Sequence, residues 1–248
     1  MEGNIEYFHL TTPQQNIWNL QKYYGDTAIA NLCGAAFFPE RRDGNLLRKA
    51  VCQFIWSQNG IRLRFCEGKE PMQYVSEEVD EDIPIMTFDS RQEFDQYAEI
   101  FAREPVGLLE RQMYRFVVFH LDRESRSGVL VVLSHLISDA WTFGLMANQI
   151  DVAYRGLAGE TDEALFCGNY ADFIQSEEQY LASARHEKYK EYWHEKYPAR
   201  PEECPVKIRS ASMDEVEAKR IARNLPLCLE QGDCRIRREI PGDRGRFV

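Results

Sequence analysis

No stretch of this sequence is apolar for long enough to cross a bilayer, which takes about 20 consecutive residues. The opening residues Met1-Glu2-Gly3-Asn4-Ile5-Glu6 lack the apolar centre of a secretory signal. Cysteine pairs at metal-binding spacing are missing as well. The seven cysteines (Cys33, Cys52, Cys66, Cys167, Cys204, Cys228 and Cys234) are odd in number and irregularly spaced, and no C-x-x-C occurs. That argues against a zinc site and against a disulfide framework, and for reduced thiols, so no metal is expected. Cys33, Cys52 and Cys66 sit among apolar neighbours, where packing is their expected role. Positive charge is in short supply: 30 Lys and Arg face 40 Asp and Glu, a formal net charge of -10. Neither nucleic acid nor an anionic membrane is an expected partner. The sequence also has no internal repeat, no G-x-S-x-G elbow and no recognisable Cys-His pair, so no covalent nucleophile is expected. The chain reads as cytoplasmic.

What is present is a chain of 248 residues with 44% hydrophobic content, enough to bury a substantial core. Thr12 and Pro13 open a helix that runs to about Tyr24, with Thr12 as the N-cap and Pro13 at the first helical position. A strand is expected over 28–38. Asp43 caps a second helix with Leu47, Ala50, Val51, Phe54 and Ile55 along one side, stopping near Asn59-Gly60. Ile61-Arg62-Leu63-Arg64-Phe65 alternates apolar and basic residues as a half-buried strand does, with both arginines on one face. Short strands follow at 72–75 and 83–88, then a polar helix over 90–104. Residues 113–121 and 128–133 form a hairpin through Asp122–Ser127. Helices are expected over 140–155 and 170–197, and another over 214–222. Strands and helices mix without strict alternation, which fits an α+β fold with a mixed sheet packed by helices.

Chemistry concentrates in Ser134-His135-Leu136-Ile137-Ser138-Asp139-Ala140. The apolar run Val129–Leu133 delivers His135 at a strand end, where an imidazole that titrates near neutrality suits general-base work. Asp139 begins the next helix, where a carboxylate caps free N–H groups and can also hold an arginine. A plainer reading stays open at this spacing: a histidine satisfied in a turn, and an aspartate that only caps.

The segment resembles the His-His-x-x-x-Asp-Gly motif of nonribosomal peptide synthetase condensation domains and of the chloramphenicol acetyltransferase-like enzymes. Three further segments are similar to family motifs and come in the family's order. Leu10–Trp18 is similar to the opening Ser-x-x-Gln-x-x-x-Trp; Asn59–Phe65 to the tail of Arg-His-Glu-x-Leu-Arg-Thr-x-Phe; and Asn169–Phe173 to Tyr-x-Asp-Tyr/Phe. The resemblance implies a chloramphenicol acetyltransferase-like N-terminal subdomain. It implies that His135 is the active-site histidine, that Asp139 is structural and that Arg62 pairs with it. It also implies that Ala140 and Trp141 line the substrate tunnel. Ser134 stands where the family has its first histidine, and Ala140 where it has glycine.

By the same resemblance, residues 1–197 form the N-terminal subdomain, and 198–248 a linker or the start of the C-terminal subdomain. The implied reaction joins an acyl or peptidyl thioester on a carrier protein to an amine or hydroxyl acceptor. No cofactor is bound; the phosphopantetheine arm belongs to the carrier protein. The implied partners are a peptidyl or acyl carrier protein, and a C-terminal condensation half or adjacent synthetase modules. His135 is then expected on an open cleft wall flanked by exposed apolar side chains. Two other functions stay open at this point: a noncatalytic carrier-binding scaffold, and a standalone acyl-CoA-dependent O- or N-acyltransferase.

Overall fold

A computed structural model describes residues 5–199; the helix expected over 214–222 lies outside them. The unit Met1–His194 carries the elements that build the site. In chain order these are β1 (Phe8–His9), α1 (Thr12–Tyr24), β2 (Asn31–Phe37), α2 (Gly44–Ser57), a 3-10 turn (Asn59–Arg62), β3 (Leu63–Cys66), β4 (Met72–Val75) and β5 (Ile85–Phe88). They continue with α3 (Arg91–Arg103), β6 (Tyr114–Leu121), β7 (Arg126–Ser134), α4 (Ala140–Leu157), α5 (Tyr170–Leu181) and α6 (Ala184–Lys196).

The main sheet has the order β2-β7-β6-β5. The β6–β7 hairpin and the β2–β7 pair are antiparallel, while β5 joins β6 in parallel. A smaller antiparallel sheet, β1-β4-β3, stands beside it. Both faces of the main sheet are covered. On one face Tyr114, Phe116, Val118, Val129, Val131 and Leu133 cluster with the apolar sides of α2 and α4. On the other, Val117, Phe119, Leu121, Leu130 and Val132 cluster with Phe94 and Phe101 of α3. Burial on both faces is why β6 and β7 read as continuous apolar runs rather than as alternating strands. Leu10, Trp18, Leu63, Phe65, Met113 and Leu136 form a third cluster, which draws the loop after β7 toward α1 and the small sheet.

Several local expectations are corrected. Thr11, not Thr12, is the N-cap of α1; its N–H and hydroxyl both donate to Gln14 Oε1, at 3.0 and 3.1 Å. The strand expected from Ile61 begins at Leu63, because Asn59–Arg62 winds into a 3-10 turn. The helix expected over 170–197 breaks into α5 and α6. At the break the Ser183 hydroxyl donates to the Tyr180 carbonyl at 2.6 Å and accepts the His186 N–H at 3.2 Å, so one serine closes the first helix and caps the second. Asp43 does cap α2, accepting the Leu46 N–H at 2.8 Å.

His120 of β6 ties the hairpin to the chain before α2. It is 8% exposed. Its Nδ1 meets Ser127 Oγ at 2.8 Å, and the same hydroxyl oxygen accepts the Arg42 N–H at 2.8 Å. Burial first, then the Arg41 charge, push this imidazole below its usual range, while Asp122 and Asp43 pull the other way. The folded protein therefore holds His120 neutral at pH values where the unfolded chain, titrating near about 6.5, has begun to take up a proton. This contribution is fully present above the unfolded value and is lost as pH falls through the folded one. The melting temperature should drop more steeply between about pH 7 and 5 in the native protein than in His120→Asn, as read by scanning calorimetry; parallel slopes would refute this.

Candidate functional site

The site loop is built where β7 runs out. The Ser134 N–H donates to the Met113 carbonyl at 2.9 Å and the His135 N–H to the Ala30 carbonyl at 2.7 Å, so the strand's last amides are held from both sides. The chain then folds back on itself. The Ile137 N–H and the Ser138 hydroxyl both donate to the Ser134 carbonyl, at 3.1 and 2.8 Å, while the Ser134 hydroxyl accepts the Leu136 N–H at 3.2 Å. The side chain of Leu136 is buried in the cluster of Trp18, Leu63 and Phe65. Its carbonyl accepts from Gln14 Nε2 at 3.0 Å. Gln14 and Gln73, both buried, exchange amide hydrogen bonds at 2.9 and 2.8 Å, and Gln73 Nε2 also donates to the His9 carbonyl at 2.8 Å. The glutamine of the opening motif is thus a buried brace between α1, β4 and the loop.

The His135 side chain is exposed. Its Nδ1 lies 2.7 Å from the Ser138 carbonyl oxygen. A carbonyl only accepts, so Nδ1 carries the hydrogen and the neutral ring keeps a lone pair at Nε2. That tautomer can accept a proton from a group arriving at the open face.

Asp139 is the N-cap of α4. Its Oδ1 accepts the Thr142 N–H and hydroxyl, both at 3.0 Å, and the Asp139 N–H donates to Thr142 Oγ1 at 3.1 Å. The Thr142 N–H is the main reason its carboxyl lies below the usual carboxylate range; burial opposes this and the nearby His135 reinforces it.

The expected Arg62–Asp139 pair does not form. Arg62 ends the 3-10 turn and is 9% exposed. It donates to the Ser76 carbonyl at 2.8 Å, lies over the Trp56 ring at 5.0 Å, and meets the exposed Glu77 carboxylate at 3.7 Å. Its Nε is buried without a partner. The turn sends the guanidinium toward the end of β4, and Asp139 is taken up by the first turn of its own helix. Asp139→Asn keeps a good capping residue, so it should change the unfolding free energy by less than about 1 kcal/mol, whereas breaking a buried ion pair costs about 3–5 kcal/mol. Urea denaturation of the two proteins separates these outcomes.

Ala140 and Trp141 open α4 on an exposed surface, Trp141 at 84% exposure. Neither lines the apolar groove beside the loop. That groove, about 330 Å³, lies between the first turns of α4, the 3-10 turn and the start of α5, and is lined by Ile137, Thr142, Leu145, Gly60, Tyr170 and Phe173 among others. Leu145 and Phe173 are themselves exposed, at 41% and 54%. The motif segments Asn59–Phe65 and Asn169–Phe173 meet here: Asn59 Oδ1 accepts the Tyr170 N–H at 2.7 Å, and Asn59 Nδ2 donates to Asn169 Oδ1 at 2.9 Å. Among the described residues no three His, Cys, Asp or Glu side chains gather as a metal site.

The profile of the family described as Condensation domain matches residues 4–231. The chain belongs to the condensation-domain family. Surfactin synthase subunit 1 of Bacillus subtilis (strain 168) is 29% identical over 242 residues, covering 92% of this chain and 7% of that protein. Tyrocidine synthase 3 of Brevibacillus parabrevis is 23% identical over 193 residues, covering 76% of this chain and 3% of that protein. The chain thus spans a small part of the length of these relatives. Among solved structures, a starter condensation domain of rhizomide synthetase is 19% identical with a TM-score of 0.74, over 83% of this chain and 48% of that one. The first condensation domain of the CDA synthetase is 19% identical with a TM-score of 0.69, over 79% of this chain and 52% of that one. The fold is therefore the chloramphenicol acetyltransferase-like fold of condensation domains, and this chain spans about half the length of those two solved chains.

Proposed function

We propose that this condensation-domain chain contributes the histidine-bearing wall of an amide-forming acyltransferase, with His135 serving the acceptor. The observation that carries the reading is the 2.7 Å contact of His135 Nδ1 with the Ser138 carbonyl, which leaves Nε2 as a proton acceptor on an exposed ring. The acceptor's amine attacks the thioester carbonyl of the donor. The new C–N bond forms, the C–S bond breaks, the amine's proton passes to Nε2, and from there it returns to the departing thiolate. Both arms arrive on carrier proteins as parts of the substrates, so the chain needs no nucleophile or bound cofactor of its own. General-base assistance of this kind typically supplies about 100- to 10,000-fold. A hydroxyl acceptor would give an ester by the same steps.

In this reading Ser134 and Asp139 hold the loop, Arg62 takes no part in holding it, and Ala140 and Trp141 border the substrate path. The exposed Trp141, Leu145 and Phe173 are the face on which a complementary C-terminal half docks, because a tunnel that excludes water needs a second wall. The net charge of -10, and the lack among the described residues of a helix long and apolar enough to cross a membrane, support work in the cytoplasm.

The test is a condensation assay with acyl- and aminoacyl-loaded carrier proteins, read by mass spectrometry. The chain alone should give negligible product. Adding a complementary condensation half should restore turnover, and His135→Ala in that reconstituted protein should remove most of it while leaving the fold intact. Full activity of the reconstituted His135→Ala protein, or robust turnover by the chain alone, would overturn the proposal. Turnover of free acyl-CoA by the chain alone would instead favour a standalone acyltransferase.

A further inference from the structure

We infer that the Ser138 hydroxyl is the positioning group that sets the tautomer of His135. The step rests on the reading of His135 as the proton acceptor. It begins from a division of labour within one residue: Ser138 holds His135 with its carbonyl and holds itself in place with its hydroxyl. The carbonyl oxygen lies 2.7 Å from Nδ1, and the hydroxyl donates to the Ser134 carbonyl at 2.8 Å. Ser138 is buried while the ring it aims is exposed.

A peptide carbonyl in a loop can swing as its peptide plane rotates. Here the Asp139 N–H, at the other edge of that peptide plane, donates to Thr142 Oγ1 at 3.1 Å, and the hydroxyl hydrogen bond back to Ser134 closes the five-residue loop and holds the residue that carries the carbonyl. With that carbonyl aimed at Nδ1, the hydrogen stays on Nδ1 and the lone pair on Nε2. A free neutral histidine favours the opposite arrangement, with the hydrogen on Nε2 and the acceptor turned inward. The second serine acts elsewhere in the loop. The Ser134 hydroxyl accepts the Leu136 N–H at 3.2 Å and so supports the backbone before the turn, but the acceptor used by Ser138 is Ser134's main-chain carbonyl. Removing the Ser134 hydroxyl therefore leaves both holds on Ser138 in place, and removing the Ser138 hydroxyl leaves its carbonyl held only through the Asp139 amide.

The proposal is tested on the whole chain labelled with 15N in its five histidine rings, by long-range proton–nitrogen correlation at about pH 8, above the reference imidazole value of about 6.5. His135→Gln identifies the signal. The native protein should show Nδ1 with a pyrrole-type shift and Nε2 with a pyridine-type shift. In Ser138→Ala the two nitrogen shifts should move toward each other as the second tautomer becomes populated. Ser138→Thr, which keeps the hydroxyl, should keep the native pattern, and so should Ser134→Ala. Should Ser138→Ala fail to fold, Ser138→Cys, with its weak S–H donor, should show the same convergence of shifts. An unchanged pattern in the folded variant that lacks the hydroxyl would overturn the inference. So would an equal disturbance in Ser134→Ala, which would mean general loosening of the loop. None of these readings needs turnover, so a failure of the condensation assay leaves them interpretable.

Discussion

Replacing Gln14 with leucine should cost the fold at least about 3 kcal/mol, as four buried groups each lose a partner and such losses run at about 1–3 kcal/mol apiece. Gln14 serves the Leu136 carbonyl, the Gln73 amide, and the Thr11 N–H and hydroxyl together. Leucine is close in size but offers no polar atom, so the deficit comes from stranded hydrogen-bonding groups rather than from a void. The double replacement Gln14→Leu with Gln73→Leu should recover part of the loss, because removing both partners of a buried pair is much cheaper than removing one. Urea denaturation of the single and double variants checks both statements. A single-variant loss below about 1 kcal/mol would mean that water or a rearranged neighbour replaces the amide.

Phe119→Ala should cost a similar amount, about 3–5 kcal/mol, for a different reason: it opens a cavity. Phe119 is fully buried at the centre of β6, with its ring 4.3 Å from that of Phe94 and 5.2 Å from that of Phe37. It joins α3 and β2 to the hairpin that delivers His135. Gly128 lies directly across from it in the β6–β7 register, and a side chain there would meet the Phe119 ring and the Ala36 carbonyl. The ring thus occupies the space that the glycine leaves free. Phe119→Leu, closer in volume, should lose about 1.5 kcal/mol or less. Calorimetric unfolding of the two variants gives the comparison, and equal losses would show that packing around the ring is not what sets the cost.

The large features were legible because each rests on a local rule. The apolar run over 129–133 and the polar turn after 121 give the hairpin, and Asp43 announces α2 through its cap. The order of four motifs identified the fold, and the segment around His135, the proposed site, lies at the end of the apolar run. What local rules cannot see is which distant groups meet. Gln73 sits in a short strand 59 residues from Gln14, and nothing in its surroundings announces a buried amide pair. Arg62 misled because alternation in Ile61–Phe65 suggests a continuous strand, whereas the main chain turns through a 3-10 segment before the ladder starts. That change of conformation sends the guanidinium toward Ser76 and away from Asp139. The α5–α6 break went unseen because a lone serine among good helix formers is a weak signal until its hydroxyl is seen bonding on both sides.

The loop after β7 separates order of the main chain from exposure of its side chains. Its backbone is already fixed by Ala30, Met113, Gln14 and its own serines, while Trp141 and Leu145 stand in water on the helix that follows. A protein surface settling on this face has almost no chain left to freeze. Its calorimetric signature should be a negative heat-capacity change from the covered apolar area, without the large opposing entropy of a segment that folds as it binds. Such a surface can come and go many times and find the imidazole in the same place at each return.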